Sequence, residues 1–393
     1  RARGGVSPAM DVIFTINAGS SSLKCAAYAL PGLERIYRCL VSAVGTERCS
    51  FDAGEDAPAL KGPVSPPTQE ASLARAMAGL RTARPEARIV ACSHRVVHGG
   101  PDYDAPIVID AEKRKALERL SVLAPLHQPY NLAGVAAMTA AAPGALQVAC
   151  FDTAFHRGHP KVAEVYALPQ AITASGVRRY GFHGLSYEYI AGALGEIDPE
   201  LAAGEVVVAH LGSGASMCAL RAGKSVDSTM GFTALDGLPM ATRTGQLDPG
   251  VVIHLLREGR TLEEVERIFY KESGLKGLSG IDGDTRLLLA SDAPDAAFAI
   301  DYFCYRIARE IGALAVSLNG LDGIVFTAGI GENQPAIRAN VAARLTSLGV
   351  AFDPLRNAAG ETRFDTQSSR VKLLRLDTDE EAMLARHAAR LLN

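Results

Sequence analysis

The run Ser93-His94-Arg95-Val96-Val97-His98-Gly99-Gly100 places an arginine and two histidines in a strand-like stretch that ends in glycines. A guanidinium in such a setting needs an anion, either as a fork for a carboxylate or phosphate or as half of a structural ion pair. A strand would hold His94 and His98 on one face about 13 Å apart, too far to share a metal, so they read as structural histidines. Phe151-Asp152-Thr153-Ala154-Phe155-His156 sets a carboxylate straight after a strand, where α/β proteins keep reactive groups, although a helix N-cap looks the same. Arg178-Arg179-Tyr180-Gly181-Phe182-His183-Gly184 holds a histidine between glycines, and Met240-Ala241-Thr242-Arg243-Thr244-Gly245 presents an arginine in a loop. Taken singly, these read as a structural histidine and a solvated arginine.

Three strand-to-turn elements supply the glycines and serines that let backbone N–H groups approach a phosphate. Val12 to Ile16 leads through Asn17-Ala18-Gly19-Ser20-Ser21-Ser22 into Leu23 to Leu30, and Val206 to His210 leads through Leu211-Gly212-Ser213-Gly214-Ala215-Ser216 into Met217 to Leu220. Both read as β-hairpins with small-residue tips, one in each half, which suggests a duplicated α/β architecture. The third, Ile324 to Ala328, runs into the turn Gly329-Ile330-Gly331-Glu332-Asn333 ahead of a helix near Pro335. Together they suggest a nucleotide. The only G-K-[ST], Gly223-Lys224-Ser225, has Cys218 where a P-loop needs its first glycine, and Gln334 and Met217 stand where a dinucleotide fingerprint needs a small residue.

Helical periodicity covers Ala111 to Val122, Asn131 to Ala142, Tyr187 to Leu194, Leu262 to Tyr270 and Ala296 to Leu318. Alternation with strands argues α/β. The proline-rich stretch Ala53 to Gln69 reads as a surface excursion rather than a linker. At 393 residues, two domains are expected. Forty Lys and Arg against 43 Asp and Glu, a net charge of -3 without long single-sign blocks, exclude a polyanion or anionic membrane partner. The uncharged run Leu120 to Phe151 is interrupted by prolines and His127 and is no membrane span. The seven cysteines contain no C-x-x-C pair, which suggests a reducing, cytoplasmic compartment. Residues 1 to 9 lack the apolar core of a signal peptide and read as an extension, with the protein proper expected from Met10.

Ile16 to Lys24, His94 to Gly100, Phe151 to His156, Tyr180 to Gly184 and Phe326 to Asn333, in this order, resemble the acetokinase family of the actin, Hsp70 and sugar-kinase superfamily. The resemblance runs from Asn17 to Glu381. It implies two ribonuclease-H-like domains with an interdomain active-site cleft, residues 10–152 and 153–380, with a C-terminal helix 381–393 packing back on the first. It further implies a homodimer and Mg²⁺- or Mn²⁺-dependent, reversible, in-line transfer of the ATP γ-phosphoryl group to acetate, giving acetyl phosphate and ADP.

Carried over residue by residue, Asn17 and Glu380 resemble the metal-positioning pair. Lys24 and Ser22 resemble groups facing the phosphates. Arg95 resembles the arginine that holds the substrate carboxylate, and His183 and Arg243 the pair that stabilises the phosphoryl group in flight. Around the nucleotide the resemblance places His210, Leu211, Gly212, Ser213 and Gly214, then Asp284, Thr285 and Arg286, then Gly329, Ile330, Gly331, Glu332 and Asn333. By the same resemblance Val97, Leu126, Phe182 and Ala234 would surround the acetate methyl, and His127 resembles a further active-site histidine. Asp152 resembles the catalytic aspartate, but a carboxylic acid is already ionised at neutral pH and needs no base, so Asp152 is expected to orient Arg243 or the metal shell.

Four residues depart from the family pattern. Ser213 replaces an asparagine, which is expected to weaken nucleotide binding modestly. Ala234 replaces a proline, leaving room for one more methylene and making propionate the second substrate, ahead of butyrate. Gln128 and Gln246 replace an asparagine and an aspartate. A nucleotide-sensing module without catalysis is the alternative of a different class; two arginines and a histidine aimed at one phosphoryl group argue against it.

Overall fold

The computed structural model describes residues 9–19, 21–124 and 127–392. The chain divides into two compact units, one running to Ala154 and resuming at Asp379, the other Phe155–Thr378.

The first unit is built on β1 (Met10–Ala18), β2 (Ser22–Ala29), β3 (Glu34–Ser42), β4 (Ser50–Asp52), β5 (Gly62–Pro63), β6 (Ala87–Val96), β7 (Ile107–Val108) and β8 (Leu146–Phe151), in the order β5-β4-β3-β2-β1-β6-β8-β7. β1 to β3 are antiparallel, and β6 and β8 continue in parallel with β1. β1 is buried along nearly its whole length because both faces are covered, which is why it reads as a continuous apolar run. Val12, Phe14 and Ile16 pack with Leu73, Ala76 and Leu80 of the helix Gln69–Ala83. The helix Glu380–Leu392 packs on β1 and β6, where Ser93 donates to the Leu384 carbonyl at 2.8 Å. The proline-rich excursion is not all loop, since it carries edge strand β5.

The second unit repeats the plan. β9 (Glu205–Leu211), β10 (Ala215–Arg221) and β11 (Lys224–Ser228) are antiparallel, and β12 (Gly323–Thr327) and β13 (Lys372–Arg375) add in parallel, in the order β11-β10-β9-β12-β13. Three antiparallel strands followed by two parallel ones, twice, is the ribonuclease-H-like arrangement. Val206, Val208 and Val325 pack against Tyr187, Ile190 and Leu194 of the helix Gly184–Ile197. The 25-residue helix Pro294–Leu318 packs on β9 and β10.

Local chemistry sets the helix starts. Thr261 and Glu264 form a reciprocal capping box, and prolines occupy the first turns of Gln128–Ala141, Pro294–Leu318 and Pro335–Ala343. Two stretches differ from their sequence pattern. The helix from Leu262 ends at Arg267 and continues as a π turn, Ile268–Glu272. Gly329 to Asn333, expected as a turn, belong with Ala328 to a short helix, Ala328–Asn333, whose Glu332 carboxylate accepts the Ala328 N–H at 2.8 Å. Among the described residues no helix is long and apolar enough to cross a membrane.

Candidate active site

In the first unit the hairpin register sets Asn17 opposite Lys24 at the end of β1, one strand away from Arg95 on β6. Asn17 is buried and acts as a hub: its amide donates to Glu380 at 2.8 Å and Glu381 at 3.0 Å, and its carbonyl accepts from Arg95 Nη1 at 3.1 Å. Arg95 grips Asp152 with two edges, Nε to Oδ1 at 3.0 Å and Nη2 to Oδ2 at 2.5 Å. Asp152 is therefore bound to an arginine of its own unit, Arg95. Arg95 is half of an ion pair whose side chain is 17% exposed, whereas Asp152 is 1% exposed. Burial opposes the Arg95 charge, but Asp152, Glu380 and Glu381 outweigh it and raise its pKa. Burial raises the Glu381 carboxyl, with Glu380 adding to the effect and Lys24 opposing it.

The segment after β6 is held from the helix Gln128–Ala141. Asn131 accepts from Val97 N–H at 3.0 Å and donates to the Ala18 carbonyl at 2.9 Å, tying the arginine strand to the hairpin. Gln128 accepts from His98 N–H and donates to the His98 and Leu117 carbonyls, so this departure has a structural task. His127 is the N-cap residue of that helix. His94 is buried with its Nε2 2.8 Å from Gln147 Oε1, a structural histidine as expected, whereas β6 ends at Val96, so His98 is no longer on the strand. Ser22 and Lys24 open β2. Leu126 lies outside the described residues.

In the second unit, His183 adopts a left-handed conformation (φ +58°) as the N-cap of Gly184–Ile197. Its Nδ1 lies 2.8 Å from Ser216 Oγ, and its ring stacks on His210 with centroids 4.2 Å apart. The preceding carbonyl, of Phe182, is held by His156 Nε2 at 2.9 Å. Arg243 donates to the Ala234 carbonyl at 3.0 Å. A Cβ placed on Gly214 would sit 3.6 Å from His183 Nε2 and 3.8 Å from Arg243 Nη1, so both cationic-capable side chains converge on one point at the hairpin tip.

Beside that point lies a cavity of about 700 Å³, lined by Gly212 and Ser213, Asp284 to Arg286, Gly329, Ile330 and Asn333, all named from the sequence. It is also lined by Ala241, Thr242, Lys276, Asp282, Gly283 and Gln334, which the sequence did not single out. Leu211 and Gly331 are buried and off this wall. The Gly331 carbonyl is held by the buried Arg338, and Glu332 is spent on the N–H groups of Ala328 and Thr378, so these two shape the loop. Asp284 caps its helix and pairs with Arg286, which holds its carboxyl below the usual range. Gln246 accepts from Arg306 at 2.6 Å. Off the cavity wall, Glu381, Ser216, Tyr187 and Arg338 are further side chains the sequence did not flag, and of these Glu381, adjacent to Glu380, carried a sequence signal.

The acetokinase family model matches residues 12–386. The acetate kinase of Nitrobacter hamburgensis is 49% identical over 391 residues, covering 98% of this chain and 96% of that protein. The acetate kinase of Rhizobium meliloti is 47% identical over 400 residues, covering 98% and 99%. Among solved structures, a propionate kinase from Francisella tularensis superposes with a TM-score of 0.89 at 32% identity, covering 96% of this chain and 99% of that one. The acetate kinase of Porphyromonas gingivalis gives a TM-score of 0.86 at 32% identity, covering 98% and 100%. Two repeated ribonuclease-H-like units, a small-residue cavity next to the hairpin tip where His183 and Arg243 meet and a family match along nearly the whole length have one common explanation: the chain belongs to the acetokinase family, phosphotransferases with a carboxyl group as acceptor.

Proposed function

We propose that this protein transfers the γ-phosphoryl group of ATP to acetate, reversibly, giving acetyl phosphate and ADP. The observation that carries the reading is the convergence of His183 Nε2 and Arg243 Nη1 beside Gly214, next to the cavity. Phosphoryl transfer asks little covalent work of the protein, and donors preset around the moving group are what it needs. The cavity takes the nucleotide, with Gly212, Ser213, Gly329 and Ile330 admitting backbone close to it and Asp284 to Arg286 on its wall. Arg95 holds the acetate carboxylate with the donors that Asp152 leaves over, and Val97, Phe182 and Ala234 contact the methyl. Lys24 and Ser22 face the phosphates. Asp152 acts by fixing Arg95, since the acceptor carboxylate needs no base.

A divalent cation fits the Asn17, Glu380 and Glu381 group. Two carboxylates meet one amide there, and Glu381 is half-buried with its carboxylate destabilised, a charge that a cation relieves. Among the described residues no three His, Cys, Asp or Glu side chains form a cage, which suits an ion that keeps water and phosphate oxygens. Magnesium, or manganese, when bound supplies charge neutralisation on those oxygens.

Propionate is the second substrate, favoured by Ala234, whose carbonyl anchors Arg243 while its methyl leaves room in the acyl pocket. A homodimer is supported by the helix Pro249–Arg257, which buries none of its residues and exposes Val251, Ile253 and Leu256. The seven buried, free cysteines suit a reducing compartment such as the cytoplasm.

Trapping acyl phosphate with hydroxylamine, for acetate, propionate and butyrate with Mg·ATP, tests the reading. Turnover of acetate that collapses in Arg95→Ala and Arg243→Ala supports it; ATP binding without turnover of any acid refutes it.

A further inference from the structure

His183, Ser186 and Tyr187 lie on the first turn of one helix, and Ser216 and His210 are cross-strand partners on β10 and β9. Each imidazole of the stacked pair has a serine at its Nδ1: Ser216 at 2.8 Å for His183 and Ser186 at 2.8 Å for His210. Ser216 Oγ also lies 2.5 Å from the Tyr187 hydroxyl, one helical turn beyond His183. Tyr187 and Ser216 are both fully buried, so their two hydroxyl protons need acceptors within the protein.

The protons can be placed. Burial raises the Tyr187 pKa far above that of an ordinary phenol, with Cys218 adding to the effect, so its O–H stays on and donates. Ser216 Oγ accepts that proton and has one of its own to give, and the acceptor in reach is His183 Nδ1. The opposite arrangement, with Nδ1–H and the Tyr187 O–H both donating to Ser216, would leave the serine hydrogen without a partner among these groups. The nitrogen that carries the proton is set by the hydrogen bond the other nitrogen makes.

We propose that Tyr187 and Ser216 are positioning residues that fix His183 as the neutral Nε2–H tautomer, so that His183 meets the transferred phosphoryl group as a hydrogen-bond donor and not as a proton acceptor. The inference rests on the carboxylate-kinase reading above and adds the relay behind the histidine. Its Nε2 is the atom aimed at the point shared with Arg243. Arg243 then contributes the charge and His183 an uncharged, directional donor.

The test is tautomer-sensitive two-bond ¹H–¹⁵N correlation on full-length protein with ¹⁵N-labelled histidine, His183 being assigned by its loss in His183→Gln. Wild type is expected to show protonated Nε2 and bare Nδ1. Ser216→Ala and the isosteric Tyr187→Phe are expected to give a mixed tautomer and a kcat lowered roughly ten- to a hundredfold, as for outer-shell partners of histidines elsewhere. KM for acetate and ATP is expected to stay within about twofold, because ground-state contacts are untouched. Ser216→Thr, which keeps the hydroxyl, is expected to restore both tautomer and kcat. Active wild type with Nδ1 protonated overturns the proposal alone, as does a fall in kcat with the tautomer unchanged. Wild type that forms no acyl phosphate overturns the kinase reading, and the proposal with it.

Discussion

Arg95 and Asp152 form a two-edged ion pair in which the acid is buried and the base keeps an edge in solvent, 2.5 Å at its shorter contact. Removing one partner of such a pair leaves the other charge uncompensated. Asp152→Ala is expected to cost about 3 kcal/mol in urea unfolding. It should also raise KM for acetate, because Arg95 loses the contact that orients it. An acetate KM unchanged in a folded Asp152→Ala protein would show that Arg95 does not depend on this pair.

Gly214 is the vacancy at the meeting point of His183 and Arg243. The 3.6 and 3.8 Å distances of an added Cβ are ordinary contact, and the backbone there is not in the left-handed region, so Gly214→Ala should fold with an unchanged melting temperature. The methyl would nevertheless stand where the phosphoryl group has to pass. A loss of about 10²-fold in kcat/KM is expected, the scale of a misplacement of one ångström. Steady-state kinetics beside a thermal melt separates the two effects.

Ala234 sets how much acyl chain the site admits. One methylene is worth about 0.8 kcal/mol, or about fourfold. Ala234→Val should lower kcat/KM for propionate relative to acetate by about that factor, read from parallel hydroxylamine assays. An unchanged ratio would place the selectivity elsewhere.

Arg338 is a buried cation that donates to the carbonyls of Gly331 and Glu332 at 2.9 Å and to Asn357 through Nε and Nη2 at 2.8 Å, beneath the cavity. Burial, with Arg375 nearby, lowers its pKa to about 10, so it remains charged at neutral pH. A lysine cannot reproduce the fork. Arg338→Lys is expected to cost about 3 kcal/mol in stability and to raise KM for ATP while leaving that for acetate alone.

Buried histidines make the fold acid-sensitive. Burial lowers His94 to about 4; burial with the neighbouring His159 lowers His156 to about 3; burial with Arg179 lowers His159 to about 4. Each folded pKa lies below the ordinary 6.5, so the unfolded chain takes up a proton first as the pH falls. Their contribution is complete above pH 6.5 and is lost progressively as the pH falls toward 4 and, for His156, 3. Denaturant midpoints across that window should decline, and His94→Gln should flatten the decline by one proton.

The repeated hairpins, the α/β class and five of the helices were legible in the sequence, because each depends on local pattern, whereas the residues of the cavity wall were named through the family resemblance. Apolar runs either side of Gly212-Ser213-Gly214 make a hairpin wherever they occur, and prolines at first turns announce helices. Helix extents drifted by a few residues, and residues 328–333 deceived because Glu332 caps a helix that glycine content argued against. Which partner each side chain takes was not legible. Arg95 was a fork or an ion pair on sequence grounds, and only the parallel registration of β6 with β8 sets it beside Asp152. That the Glu332 carboxylate accepts from the N–H groups of Ala328 and Thr378 was equally illegible. Tyr187 and Ser216 are 29 positions apart and join only when a helix is laid on the β9–β10 hairpin. Sequence fixes which elements form because short-range sterics and periodic burial are local; the long-range hydrogen bonds that aim a histidine or an arginine exist only once those elements have packed.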